Sequence, residues 1–165
     1  MDKLNQLSPV EAFTALFKCC GSTRWANALT EKIPFGSIEE LFAESDSIWE
    51  QCTKKDGLEA FTHHPKIGDV KSLEKKFTST KEWAGHEQSG VNNARQATLQ
   101  ALADGNEAYE KKFGFIFIVC ATGKSAEEML ELLNSRIGNH AETEFSIAMG
   151  EQNKITKIRL EKLLA

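Results

Sequence analysis

The chain has 165 residues, which suits one globular domain that buries its core without disulfides or metal ions. Hydrophobic residues make up 41% of the chain and charged residues 27%, values ordinary for a soluble globular protein, and the net charge is −4. This acidic balance argues against a nucleic-acid partner and against binding to anionic lipid, because both require a concentrated basic face.

Targeting and redox signals in the sequence both favour a cytoplasmic location. The N-terminal stretch MDKLNQLSPVEAF lacks the apolar region of a signal peptide, and no segment approaches the roughly 18 apolar residues of a membrane span. The chain ends in EKLLA, which is not a peroxisomal address. The four cysteines show no C-x-x-C spacing. We therefore expect a cytoplasmic protein with reduced thiols and no membrane partner.

Helix starts are well marked along the chain. Ser8-Pro9-Val10-Glu11 predicts a capping box with proline at the first helical position. The same S-x-x-E pattern recurs at Ser37–Glu40 and Ser125–Glu128, each time before apolar residues at helical spacing. Shorter helices are predicted around Arg24–Lys32, Val70–Phe77 and Lys81–Gln88.

Two long helices are predicted in the second half of the chain. One runs from Val91 to Lys112, although Asp104-Gly105 weakens the case for its continuity. The other covers Glu142 to Leu164. The residues of this last helix expected to face inward are Phe145, Ala148, Met149, Ile155 and Ile158.

Residues 114–121 are the exception to the helical pattern. The segment is β-branched and aromatic, and alone it predicts a buried strand, but no second segment offers itself as a partner. Its backbone groups must therefore find other partners, and a ligand is one solution. We predict an all-α fold in a single domain, 1–165, with this extended segment between helices.

The segment His63-His64-Pro65-Lys66-Ile67-Gly68-Asp69 is the most unusual in the sequence. Pro65 disfavours the α region for His64, and Gly68 permits backbone geometries closed to other residues. Together they present an imidazole from a stiff loop, which suits a catalytic group. The alternative is a surface loop with an incidental histidine.

A second candidate segment runs from Trp83 to Gly90 and contains His86, Glu87 and Gln88. A histidine and a glutamate are the groups that acid–base catalysis needs near neutral pH, although Glu-Gln on a helix is usually solvated surface. A metal site is disfavoured, because the H-E-x-x-H helix motif is missing and adjacent histidines rarely bind the same ion.

Arg159 is the third candidate. It lies about 40° from Ile155 around the last helix and so flanks the predicted buried face. Its guanidinium is a natural clamp for a carboxylate or a ureido group, since it donates parallel hydrogen bonds. A snorkelling surface arginine is the alternative.

Taken together, these segments resemble the OHCU decarboxylase family (2-oxo-4-hydroxy-4-carboxy-5-ureidoimidazoline decarboxylases). The likeness covers nearly the whole chain, and four motifs in the family's order and at compatible spacing are highly specific. Two features depart from the family pattern: Gly85-His86 stands where a small residue or serine often precedes Glu-Gln, and no peroxisomal tail is present. The motifs are His64-Pro65-Lys66-Ile67-Gly68, Glu87-Gln88, Phe113–Ala121 and Lys154–Leu160.

The resemblance implies a homodimer that decarboxylates the ureidoimidazoline to (S)-allantoin and CO2 without a metal or an organic cofactor. It makes His64 and Glu87 the catalytic pair. The residues that it implies for substrate binding are Pro65, Ala84, Gln88 and Arg159, with the backbone of Phe117, Ile118, Val119, Cys120 and Ala121. Two other functions stay open: a His/Glu hydrolase of a cyclic ureide, and a non-catalytic helical interaction module.

Overall fold

The computed structural model describes residues 1–65, 70–77 and 88–165, excepting the side chains of 75–77 and 88–94. This part of the chain is helical and contains no strand, which confirms the all-α prediction. Its helices are α1 (Asp2–Asn5), α2 (Pro9–Cys20), α3 (Thr23–Thr30), α4 (Ile38–Glu50), α5 (Lys54–Thr62), α6 (Val70–Phe77), α7 (Gln88–Phe113), α8 (Ala126–Ile137) and α9 (Ala141–Leu164).

The helix starts follow the capping chemistry of the sequence. Ser8 and Ser125 form reciprocal capping boxes with the glutamates three residues later. Ser37 differs, because it caps the Glu40 N–H while the Glu40 carboxylate accepts from the Gly36 N–H at 2.6 Å. Helix α5 was not predicted, although Thr53 and Asp56 form a capping box at its start. The helix predicted over Lys81–Gln88 lies almost entirely outside the described residues.

The chain divides into two compact units, each assembled from separate stretches. The first unit contains Met1–His64, Ile118–Cys120 and Ser146–Ala165, and the second contains Pro65–Phe117 and Ala121–Phe145. The single domain expected from the sequence stays a prediction.

The core of the first unit is built around two tryptophans whose polar atoms are satisfied. The Trp25 indole N–H donates to the Ser45 carbonyl at 3.1 Å, and the Trp49 indole N–H donates to the Met149 carbonyl at 3.0 Å. Burying a large apolar side chain contributes roughly 1.5–3 kcal/mol. Fully buried aliphatic partners in this core are Leu16, Leu29, Leu41 and Leu160.

In the second unit, α7 and α8 pack closely at Gly105. A β-carbon at this position would lie 2.8 Å from Cδ2 of Leu133, so the glycine permits the close approach of the two helices. The helix continues through Asp104-Gly105, which the sequence marked as an interruption. The glycine there serves packing between helices and does not end α7.

The second unit also buries a charged cluster beside the start of the extended segment. The Arg136 guanidinium donates to Glu144 Oε1 at 2.6 Å, and the Tyr109 hydroxyl donates to the same oxygen. The Arg136 guanidinium also lies over the Phe117 ring, 4.6 Å from its centroid. This cluster fixes Phe117 on the helices of its own unit.

The buried face of α9 differs from the predicted one. Phe145, Met149, Ile155 and Ile158 are only half-buried, and of the five predicted inward residues Ala148 alone is fully buried. The fully buried positions repeat every four residues and are mostly polar: Glu144, Ala148, Gln152, Thr156 and Leu160. Hydrophobic periodicity misses such a face because three of its five positions are polar, and hydrogen bonds rather than apolar character allow their burial.

Candidate functional site

His64 follows the end of α5 and is half-buried. Its backbone N–H donates to the Phe61 carbonyl at 3.3 Å, which continues the last turn of the helix. Its ring Nε2 lies 2.6 Å from Oε1 of Gln152 on α9. The predicted catalytic imidazole is therefore held by a hydrogen bond to a residue 88 positions away in the sequence.

The orientation of the Gln152 amide is set by its other two contacts. Its Nε2 donates to the Cys20 carbonyl at 3.2 Å, an oxygen that can only accept. It also donates to the Thr156 hydroxyl at 3.2 Å. That hydroxyl donates its own proton to the backbone carbonyl of Gln152 at 3.0 Å. The amide oxygen must therefore face His64, and His64 Nε2 must be the donor.

The surroundings of His64 favour its neutral form. Burial lowers the pKa of His64 below its ordinary 6.5, the hydrogen bond to Gln152 acts in the opposite direction, and the charges of Arg159 and His63 lower it further. The net direction is downward. An uncharged imidazole with one unprotonated ring nitrogen is the form that can accept a proton near neutral pH.

Arg159 lies on the same face of α9 as Gln152, seven residues and two helical turns further on. It is half-buried, and its Nη1 donates to the Cys19 carbonyl at 3.3 Å. The neighbouring carbonyls of Cys19 and Cys20 thus anchor both Arg159 and Gln152 at the C-terminal end of α2, where helix carbonyls lack intrahelical partners. A guanidinium has five N–H donors, so this contact leaves others for a ligand.

Three residues of the extended segment, Ile118–Cys120, belong to the first unit. The Cys120 N–H donates to Glu151 Oε2 at 2.7 Å, and Glu151 Oε1 accepts from the Lys154 ammonium at 2.5 Å. Ile118 is buried, whereas Val119 and Cys120 are half-buried. One backbone donor of this segment is therefore satisfied by a carboxylate next to Gln152, in keeping with the expectation that its polar groups find partners outside a sheet.

The predicted site residues divide as follows. His64, Ile118, Val119, Cys120 and Arg159 belong to the first unit, although the sequence separates them widely. Pro65, Phe117 and Ala121 belong to the second unit, and Pro65 is exposed. The backbone of Gln88 begins α7, whereas its side chain, with all of Ala84 and Glu87, lies outside the described residues.

Two thiols lie beside this cluster, on the last turn of α2. Burial raises the pKa of Cys19 to about 11 and that of Cys20 to about 12. Both thiols are therefore protonated at neutral pH and are poor nucleophiles. Among the described residues, no three His, Cys, Asp or Glu side chains gather where they could hold a metal ion. Nor does any helix there combine the length and apolar character needed to cross a bilayer.

Gln152 and Glu151 were missed by the sequence analysis. Both look like solvated polar residues in the helical stretch Gly150-Glu151-Gln152-Asn153-Lys154. The available signal was the four-residue spacing of Gln152 from Ala148 and Thr156, which places it on one face with them. A polar residue at a buried register position needs a partner, and here that partner is the candidate catalytic histidine.

Comparison with known proteins gives consistent matches. A family model described as OHCU decarboxylase matches residues 5–161. The uric acid degradation bifunctional protein TTL of Arabidopsis thaliana is 37% identical over 147 residues, 89% of this chain and 45% of that protein. The bifunctional protein PucL of Bacillus subtilis is 26% identical over 99% of this chain and 32% of its own length. The chain thus spans less than half the length of these two relatives.

Two further matches have a length like that of this chain. A 2-oxo-4-hydroxy-4-carboxy-5-ureidoimidazoline decarboxylase of Halalkalicoccus jeotgali is 26% identical over 99% of this chain and 90% of its own. A crystal structure of OHCU decarboxylase in the presence of (S)-allantoin superposes with a TM-score of 0.72. That protein is 37% identical, and the match covers 90% of this chain and 96% of its own.

Proposed function

The chain belongs to the OHCU decarboxylase family, and on that premise we propose that it converts 2-oxo-4-hydroxy-4-carboxy-5-ureidoimidazoline to (S)-allantoin and CO2. The observation that carries this proposal is the arrangement around Gln152. His64, Arg159 and the segment Ile118–Cys120 belong to one compact unit, and α9, which carries Arg159, bonds to His64 through Gln152 and to Cys120 through Glu151. Two of the relatives described above are named as uric acid degradation proteins and a third is named for this decarboxylation, which supports the same substrate class.

The chemistry of this substrate needs no electron sink from outside. The ring carbon that bears the carboxylate also bears a hydroxyl, and the neighbouring ring carbon carries the ureido group and a C=N bond. When the bond to CO2 breaks, its electron pair forms a C=C bond and the C=N pair moves to nitrogen. We therefore propose a reaction without a cofactor, since the substrate supplies the sink that pyridoxal or thiamine would otherwise provide.

The protons of the reaction balance as follows. The hydroxyl loses one proton, while the ring nitrogen and the ureido-bearing carbon each gain one, so one further proton comes from solvent. We assign the hydroxyl proton to His64, whose lowered pKa keeps it neutral and able to accept. We assign to Glu87 the orientation of the reacting group and help with the stereospecific protonation of the ureido-bearing carbon.

Binding and orientation are assigned to the remaining predicted residues. Arg159 has N–H donors beyond the one on the Cys19 carbonyl, and these suit the ureido and ring carbonyl oxygens. Pro65, Ala84, Gln88 and the backbone of Phe117–Ala121 complete the proposed substrate contacts. Because Glu151 already accepts from the Cys120 N–H, Cys120 would bind the substrate through its carbonyl unless Glu151 turns away. Fixing the orientation lowers the barrier by removing rotational and translational freedom beforehand.

The test adds the full chain to freshly oxidised and hydrolysed urate and follows optically active allantoin by circular dichroism, together with CO2 release. His64→Ala and Glu87→Gln should each lower the rate by roughly 10²–10⁴-fold. His140→Ala, which changes an exposed histidine outside the proposed site, is the matched control and should be unaffected. Ring opening without CO2 would identify a ureide hydrolase instead, and formation of one allantoin enantiomer at a normal rate by both variants would reject the catalytic pair.

We further propose that the protein is a homodimer, as the family resemblance implies, and that it is located in the cytoplasm. The chain has a mass of 18.4 kDa, so light scattering on an eluting peak should give about twice that value. A monomer mass at micromolar concentration would contradict the dimer. Cell fractionation that places the protein in a membrane or an organelle would contradict the location.

A further inference from the structure

We infer that Gln152 is a positioning residue that keeps the proton of neutral His64 on Nε2, so that Nδ1 is the ring nitrogen that exchanges a proton with the substrate. The inference rests on the proposed function. Within that function it names the atom that acts and the residue that selects it.

The first step is the direction of the hydrogen bond. The two ring nitrogens of a neutral histidine differ, and the partner of one decides which nitrogen carries the proton. His64 Nε2 and Gln152 Oε1 lie 2.6 Å apart and form a hydrogen bond. Because an amide oxygen only accepts, Nε2 must donate, and the lone pair of the neutral ring is then on Nδ1.

The second step is that Gln152 cannot readily reverse. Turning its amide by 180° would place Oε1 against the Cys20 carbonyl, 3.2 Å away, and would set two acceptors against each other. The same rotation would remove the N–H that the Thr156 hydroxyl accepts from. That hydroxyl could not donate to Oε1 in return, because its own proton is already bonded to the backbone carbonyl of Gln152. Gln152 is fully buried, so water cannot compensate for these losses.

The third step concerns what else faces the imidazole. Arg159 from α9 and His63, the residue that follows α5, interact electrostatically with the imidazole, and both interactions act to lower the pKa of His64. The thiols of Cys19 and Cys20 on α2 have raised pKa values and bring no charge at neutral pH. Nδ1 has no hydrogen-bond partner among the residues that the structure describes. Gln152 is thus the group in this part of the chain that decides the tautomer.

The consequence for the reaction is a division of labour between the ring nitrogens. Nδ1 accepts the proton of the substrate hydroxyl, and the imidazolium so formed carries protons on both nitrogens. The Nε2 proton stays in the bond to Gln152. The Nδ1 proton is the one available for return to the substrate or for release to solvent.

The test is an NMR measurement on the full chain labelled with 15N-histidine, which requires no substrate. The ring shifts of neutral His64 should show a protonated Nε2 and an unprotonated Nδ1. In Gln152→Met, which keeps the length but offers no comparable acceptor, the shifts of the two nitrogens should move toward each other. The pKa of His64 should fall further, because the imidazolium loses a hydrogen bond.

The kinetic arm compares Gln152→Met with Asn153→Leu. Asn153 lies on the same helix as Gln152, and its side-chain amide donates to Asp46 on α4 at 2.8 Å, so Asn153→Leu also removes an amide hydrogen bond, but one that does not involve His64. Gln152→Met should lower kcat about tenfold or more, with KM nearly unchanged, and should move the acid limb of the pH profile to lower pH. Asn153→Leu should leave the profile and the ring shifts unchanged.

Wild-type His64 protonated on Nδ1 would overturn the inference, even if the enzyme makes allantoin normally. The inference would also be overturned if a folded Gln152→Met variant kept the wild-type ring shifts and the wild-type pKa of His64. Absence of allantoin from the wild-type reaction would reject the proposed function, whichever tautomer is found. The wild-type spectrum decides on the tautomer even if the variant fails to fold.

Discussion

Gly21 lies directly against His63: a β-carbon at position 21 would be 2.9 Å from Cβ of His63 and 3.2 Å from two of its ring carbons. Gly21 ends α2 in the left-handed conformation, with φ 84°, and its N–H donates to the Phe17 carbonyl at 2.7 Å. His63 in turn packs its ring edge-on against Phe17, with centroids 4.9 Å apart. The end of α2 therefore fixes the residue that precedes the candidate catalytic histidine.

Gly21→Ala is expected to cost stability and activity together. The left-handed backbone alone costs a non-glycine residue about 1–2 kcal/mol, and the contact with His63 adds to it. Denaturant unfolding measures the first effect and allantoin formation the second. Gly150→Ala is the matched control, because nothing lies within 4 Å of a β-carbon there and alanine favours a helix by roughly 0.5–1 kcal/mol. Equal stabilities for the two variants would contradict the role given to Gly21.

The lowered pKa of His64 predicts a pH dependence of both stability and rate. Between the folded pKa and the ordinary 6.5, unfolded His64 binds more protons than folded His64, so stability rises with pH. The contribution is fully present above pH 6.5 and is lost as the pH falls from there through the lower folded value. Urea unfolding between pH 7.5 and pH 5 should show a steeper loss in the wild type than in His64→Gln. The wild-type kcat/KM should be level above pH 7 and should fall on the acid side.

Arg159→Ala is expected to act mainly on substrate binding. A hydrogen bond to a charged group contributes about 1.5–3 kcal/mol, so KM should rise by roughly 10- to 100-fold with a smaller change in kcat. Steady-state kinetics measures the two constants separately. Lys162→Ala, which removes an exposed cation from the same helix, should change neither constant. An unchanged KM in Arg159→Ala would remove Arg159 from the proposed site.

The buried ion pair of the second unit predicts a large effect on stability. Arg136→Met would leave the Glu144 carboxylate buried without its cation and is expected to cost about 3–5 kcal/mol. Lys32→Met, at the exposed pair of Lys32 with Glu44, should cost at most about 1 kcal/mol. Thermal or urea unfolding of both variants gives the comparison. The double variant Arg136→Met/Glu144→Leu should recover much of the loss, and its failure to do so would argue against an unpaired charge as the cause.

Several helices could be located from local sequence because their ends are chemically marked. The capping boxes at Ser8 and Ser125 begin α2 and α8 where they were predicted, and α6 has the predicted bounds Val70–Phe77. Helix α5 was missed, since its capping residue pairs with an aspartate and Gly57 interrupts its pattern. The polar buried face of α9 was missed because burial of Gln152 depends on partners far away in the chain.

The sequence by itself determined the helical class, the extended segment near residues 114–121 and the candidate residues His64 and Arg159, because capping, periodicity and side-chain chemistry are local properties. Only the tertiary structure decided how those residues are held. It sets the Gln152 amide between His64 and the Cys20 carbonyl, and it places Arg159 on the carbonyl of Cys19. Such contacts join positions some 90 to 140 residues apart. No local pattern encodes them, because the donor on one helix meets its acceptor on another only after the chain has packed.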